Sequence, residues 1–177
     1  MKRPAAALLG CIAVLLLIAV AGVATIPTVP TGTWQPMGSM TAARSGAAAV
    51  LLQDHRVLIT GGNNGTDVVN SAEVFNSDGS FASVSAMGTP RSEHMAVVLL
   101  DGRVLVAGGV SRYRSAEQYD PATGSWTHTD SLKAGRFAHT ATLLLNGQVL
   151  VAGGTGASST PVASAELYKS APGLDIQ

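Results

Sequence analysis

The sequence predicts an all-β fold: a partial β-propeller of about three four-stranded blades, preceded by an N-terminal hydrophobic helix. Three observations carry this expectation. A hydrophobic strand ending in a glycine pair recurs three times, as VLITGG at 57–62, VLVAGG at 104–109 and VLVAGG at 149–154. Short apolar runs and turn residues surround each recurrence, the pattern of antiparallel hairpins. Ahead of them, Ala5 to Ile26 form an apolar stretch of 22 residues between Lys2-Arg3 and the next charge at Arg44.

The apolar stretch is long enough to cross about 30 Å of hydrocarbon as a helix. It fits a secretory signal, with two basic residues, an apolar middle from Leu8 to Ile18 and small residues at Ala19-Val20-Ala21 or up to Ala24 for cleavage. It equally fits an anchor retained in the membrane through residues 5–26. Both send the rest of the chain outside the cytoplasm, secreted or anchored. Leu8-Leu9-Gly10-Cys11 has the wording of a lipidation box, but the apolar core continues past Cys11, where a lipidated cysteine should follow it. Pro27 and Pro30 among threonines mark an extended linker. The expected organisation is a signal or anchor at 1–24, a linker at 25–33, and three repeats in 34–177, at about 34–80, 81–125 and 126–168 plus a short tail.

Composition excludes several classes. Eleven basic and eleven acidic residues cancel, so there is no electrostatic footprint for nucleic acid. The single cysteine, Cys11, leaves no disulfide framework and no cysteine-based zinc site. At 46% apolar the chain is no disordered polyelectrolyte.

The repeat is more than its glycines. The pairs Gly61-Gly62, Gly108-Gly109 and Gly153-Gly154 are spaced by 47 and 45 residues. Arg44, Arg91 and Arg136 keep the same offsets, as do the aromatics Trp34, Phe81 and Trp126 and the set Met40, Met87 and Leu132. Glu73, Glu117 and Glu166 recur as well, each after an alanine. The second unit parses into four strands: Met95 to Leu100, a turn at Asp101-Gly102, Arg103 to Ala107, then Ser115 to Tyr119, a turn at Asp120 to Gly124, and Ser125 to Asp130. The third unit has Asn146-Gly147 at the first turn, the first unit Asp54-His55. Runs such as Val97 to Leu100 predict strands buried on both faces, and repeated four-stranded sheets of this kind are propeller blades.

A double glycine after a hydrophobic strand, then an aromatic (Phe75, Tyr119, Tyr168), then Phe81 or Trp126 six or seven positions on, resembles the kelch repeat. The wording Tyr119-Asp120-Pro121-Ala122-Thr123-Gly124-Ser125-Trp126 is similar to bacterial kelch repeats like those of the galactose oxidase central domain. The resemblance covers 34–168 and implies a fold, not a function, since propellers of this family serve as enzymes, adhesion modules and scaffolds. A copper oxidase of that kind needs a tyrosine crosslinked to cysteine, and Cys11 lies in the leader. Tyr119 and Tyr168 sit at the structural aromatic position of the repeat.

Three blades are fewer than the four to eight that close a propeller. Thr33 to Met40 matches a fourth strand without its first three, and the last unit has three strands without a fourth. The expectation is that the strand at Trp34 completes the last blade. The sequence then fits part of a longer propeller, or a homodimer closing a six-bladed ring.

For function, repetition argues that each Arg pairs with a repeated Glu as a structural ion pair and not as a ring for anions. His94 and His139 follow their arginines by three residues, but no third ligand matches them, so no metal or other cofactor is expected. The glycine-rich segments 61–65 and 153–156 precede no helix and no P-loop lysine, and no nucleophile elbow is present. The expected role is an exported, non-enzymatic binding or scaffold module that contacts a protein or a surface glycan through its irregular loops. Arg112, Tyr113 and Arg114 are the candidate contact patch, because Arg and Tyr are enriched where interfaces concentrate their energy. The alternative is part of an extracytoplasmic carbohydrate-active or oxidase-like enzyme whose catalytic residues lie outside this chain.

Overall fold

The computed structural model describes residues 32–170. The expected N-terminal helix, its cleavage or anchoring, Cys11 and the tail at 171–177 lie outside the described residues.

Eleven strands form three antiparallel sheets of four, four and three strands, with no helix among the described residues. The first sheet holds β1 (Ala48–Leu51), β2 (Val57–Thr60), β3 (Ala72–Phe75) and β4 (Phe81–Val84) in sequence order. The second holds β5 (Met95–Val98), β6 (Val104–Ala107), β7 (Ala116–Asp120) and β8 (Ser125–Thr129). The third holds β9 (Thr140–Leu143), β10 (Val149–Ala152) and β11 (Ala165–Tyr168). Each sheet is therefore a simple meander. The β1 strand lies against β5 and β5 against β9, so the first strands of the sheets are adjacent.

Local chemistry sets the hairpins. Gly102 and Gly147 take φ of 84° and 78° in the first turns of the second and third sheets, where an L side chain is strained. His55 holds the same position in the first sheet at φ 67°, with its N–H donated to Leu52 O at 3.1 Å. In the outer hairpins the aromatics pair across strands: Phe75 with Phe81 at 5.1 Å between ring centres, Tyr119 with Trp126 at 5.0 Å.

Two cores lie between sheets. Leu58 and Val74 of the first sheet meet Val104, Val106 and Tyr119 of the second, with Met87 beneath them. Leu105 and Ala116 of the second meet Val149 and Val151 of the third, with Leu132 beneath. Each fully buried Val or Leu contributes about 1.5–3 kcal/mol. Because β6 sits between both neighbours, all four of its residues are buried.

Two expectations are corrected. Val97 and Val98 are only half-buried and Leu100 is 67% exposed; the strand buried on both faces is β6, since only the strands flanked by two sheets lose both faces to solvent. The sheets run 48–84, 95–129 and 140–168, with β4 and β8, the aromatic strands, closing the first two as the parse of the second unit expects. Thr33 to Met40 forms no strand, Trp34 is fully exposed, and the third sheet ends at β11 without a fourth strand. The segment leads into β1, at the opposite end of the row of sheets from β11, so adding it there would require closing the row on itself.

Candidate functional site

The repeated charges form one motif in each sheet. Arg44 pairs with Glu73 at 2.8 Å, Arg91 with Glu117 at 2.7 Å and Arg136 with Glu166 at 3.0 Å. The second nitrogen of each guanidinium donates to two backbone carbonyls: Gly61 and Ser71, Gly108 and Ser115, Gly153 and Ser164. The carboxylates complete the motif by accepting backbone N–H groups from Thr41, Gly88 and Lys133. Each arginine thus ties the segment before the first strand to the end of the second strand and to the third. Burial pushes the Glu73 carboxyl up, but the Thr41 N–H and Arg44 outweigh it and hold it below its ordinary value. Glu166 shows the same balance, with the N–H groups of Ala134 and Lys133 and Arg136 outweighing burial. These guanidiniums are 0–1% exposed, so they offer an anion no free face.

The glycine pairs serve close approach. Gly61 and Gly108 take φ of 59° and 67°, and a Cβ on either would lie 2.2 or 2.5 Å from the carbonyl oxygen of Arg91 or Arg136 in the next sheet. The loop after Gly62 is held by its own side chains, Asn63 Oδ1 accepting from Gly65 N–H and Asn64 Oδ1 from Thr66 N–H.

The two histidines differ. His94 Nε2 bonds Thr60 Oγ1 of the preceding sheet at 2.8 Å. His139 lies against Gly108 as His94 lies against Gly61, but Ala107 stands where Thr60 stands, and neither ring nitrogen of His139 has a partner among the described residues. Burial first, then the neighbouring arginine, lowers the pKa of His94 to about 3 and of His139 to about 4, so both rings are neutral near pH 7. Among the described residues no three His, Cys, Asp or Glu side chains converge on one point, and no helix is long and apolar enough to cross a membrane. Tyr119 is buried against Trp126, and the Tyr168 hydroxyl accepts from Gln118 Nε2 at 2.6 Å, which places both tyrosines in the structural role expected.

The loop between β6 and β7 carries the run Arg112-Tyr113-Arg114, which the corresponding loops 61–71 and 153–164 lack. Arg112 and Arg114 are exposed and flank Tyr113, whose ring packs on Phe137 with centres 5.8 Å apart. The loop is pinned to the third sheet's lead-in. Tyr113 O accepts from Arg136 N–H, Arg114 O from Leu132 N–H, and Arg114 Nε donates to Leu132 O at 2.8 Å. Asn70 makes the equivalent bond to Met87 O in the first sheet, so that part of Arg114 is structural. Gly135 permits the approach, since a Cβ there would stand 2.7 Å from Tyr113 Cβ. Together Arg112, Tyr113, Arg114, Ser131, Gly135 and Ser158 line an open groove of about 700 Å³. The predicted patch is thus one surface, while Ser131, Gly135 and Ser158, from outside that loop, were missed. Gly135 could have been found as a glycine just before a repeated arginine.

The family model described as the kelch motif matches residues 92–132, which span the whole second sheet. No curated protein matches the sequence.

Proposed function

We propose that this kelch-repeat chain is an exported, non-enzymatic module that binds a protein partner in the groove beside Tyr113. The kelch motif at 92–132 points to a protein-binding or scaffold propeller module. The observation that carries the finer reading is the run Arg112-Tyr113-Arg114, which the corresponding loops 61–71 and 153–164 lack, set over a groove of about 700 Å³. A ligand site on a symmetric scaffold must break the symmetry, and two exposed guanidiniums flanking a half-buried phenol suit carboxylates on a partner. In support of a non-enzymatic role, the terminal guanidinium nitrogens of the buried arginines are engaged by glutamates and backbone carbonyls. Export rests on the leader's composition and belongs to the proposal.

The test is selection of ligands for the full chain from a random peptide display library, with a glycan array beside it. Arg112→Ala is expected to weaken a selected acidic peptide at least tenfold, about 1.4 kcal/mol, whereas the exposed-turn variant Asp78→Ala leaves it unchanged. Binding only on the glycan array, or peptides indifferent to Arg112→Ala, would sink the reading.

A further inference from the structure

We propose that two copies of this chain close head to tail into a six-bladed ring, with the open face of β1–β4 in one copy packed on the open face of β9–β11 in the other. The inference is independent of the groove at Tyr113. It starts from a backbone ladder that runs across the sheets. Glu93 donates its N–H to Gly46 O at 2.7 Å, and Ala138 donates to Glu93 O at 2.8 Å. A second series runs beside it, Gly62 N–H to Arg91 O and Gly109 N–H to Arg136 O, both at 2.9 Å. One step further, the two series call for Gly46 N–H against Ala138 O and Gly154 N–H against Arg44 O. Those four groups have no hydrogen-bond partner among the described residues. Two donors and two acceptors are thus left at opposite ends of the row, in matching register.

The side chains continue the match. A Cβ on Gly61 would lie 3.2 Å from Met87, and one on Gly108 3.4 Å from Leu132, whereas the nearest atom to one on Gly153 is Val162 O at 3.9 Å. Met40, in the register of Met87 and Leu132, is partly exposed and fits the space over Gly153. Where two sheets meet within the chain, Thr60 pairs with His94 at 2.8 Å and Gln118 with Tyr168 at 2.6 Å, while His139 faces Ala107 without a partner among the described residues. At the closing contact the same registers bring Ala152 to Ala47 and Leu167 to Phe75, so both members of each polar pair are absent and no buried polar group is left unpaired. Apolar surface is open on both sides. Val57, Ile59, Phe75 and Phe81 line a groove of about 700 Å³, and Leu167 is 52% exposed. A head-to-tail contact between identical chains closes a ring when its rotation allows and otherwise propagates a filament; six blades lie within the range that closes.

The test is crosslinking of the full chain in a Cys11→Ser background. The double variant Phe75→Cys/Leu167→Cys is expected to give a covalent dimer with a short bis-maleimide, because the Gln118–Tyr168 register joins side-chain ends, too far apart at the backbone for a direct disulfide. An equimolar mixture of the two single variants should do the same, and each single variant alone should not. A monomer band, with or without an internal crosslink, or a ladder of higher species overturns the ring. Leu167→Arg changes a side chain exposed in the single chain, so it should keep the β circular dichroism while light scattering reports half the molar mass. An unchanged mass in that variant counts equally against the proposal.

Discussion

Ala107→Thr should stabilise this protein relative to Ala107→Val, because it gives His139 the partner that His94 already has. In the first interface Thr60 Oγ1 lies 2.8 Å from His94 Nε2, and a Cβ on the adjacent Gly61 would meet His94 Cε1 at 2.9 Å. In the second, a Cβ on Gly108 would meet His139 Cε1 at 2.7 Å, so the ring is placed alike, but Ala107 offers no hydroxyl. Both nitrogens of His139 are buried without a partner among the described residues. A restored hydrogen bond is worth about 1 kcal/mol, and relieving a buried unsatisfied group about 1–3 kcal/mol. Against this, Ala107 is 2% exposed, and adding atoms to a packed core costs about 1–3 kcal/mol. Val and Thr have nearly the same shape, so their difference cancels the packing cost and isolates the hydroxyl. Urea denaturation should place the threonine variant above the valine variant by about 1–3 kcal/mol. In a His139→Ala background the order should reverse, because the hydroxyl is then the buried group without a partner. A valine variant as stable as the threonine variant with His139 present would refute the reasoning.

Removing one arginine of a repeated pair should cost most where both charges are buried. Arg91→Ala leaves Glu117, 1% exposed, without its countercharge and should lose about 3–5 kcal/mol. Arg136→Ala should fall at the low end of that range because Glu166 keeps 18% exposure; equal melting midpoints for wild type and Arg91→Ala contradict the structural role of the pairs. Acid should also destabilise the fold. His94 is held near pKa 3 by burial, then by Arg91 and His139, while the unfolded ring takes a proton near 6.5. Its contribution is therefore complete above pH 6.5 and is lost as pH falls toward 3. Between pH 7 and 5 it amounts to about 2 kcal/mol. His139, near 4, acts in the same direction and by nearly as much between pH 7 and 5, since both folded values lie below that window. Urea midpoints at pH 7 and 5 read the loss, His94→Gln should shrink it, and identical midpoints would exclude it.

The sequence by itself determined whatever is local or repeated. The strands follow from apolar runs between turn residues, and Gly102 and Gly147 mark their hairpins at the expected φ. The Arg–Glu pairs were legible because a contact made in every sheet leaves the same two residues at the same register three times. The tyrosines were legible for the same reason. Only the tertiary structure decided what depends on a particular neighbour. Periodicity made Trp34 the equal of Trp126, yet Trp126 lies on a strand paired with β7, whereas Thr33 to Met40 forms no strand. It made His139 the equal of His94, yet one has a threonine across the interface and the other an alanine. It set Gly135 apart from Ala43 and Pro90 before the repeated arginine but gave no role, which exists only because the loop of Tyr113 crosses from the preceding sheet. A repeat encodes what each sheet does alone. What two faces do together depends on both partners, and their pairing is set by packing in three dimensions.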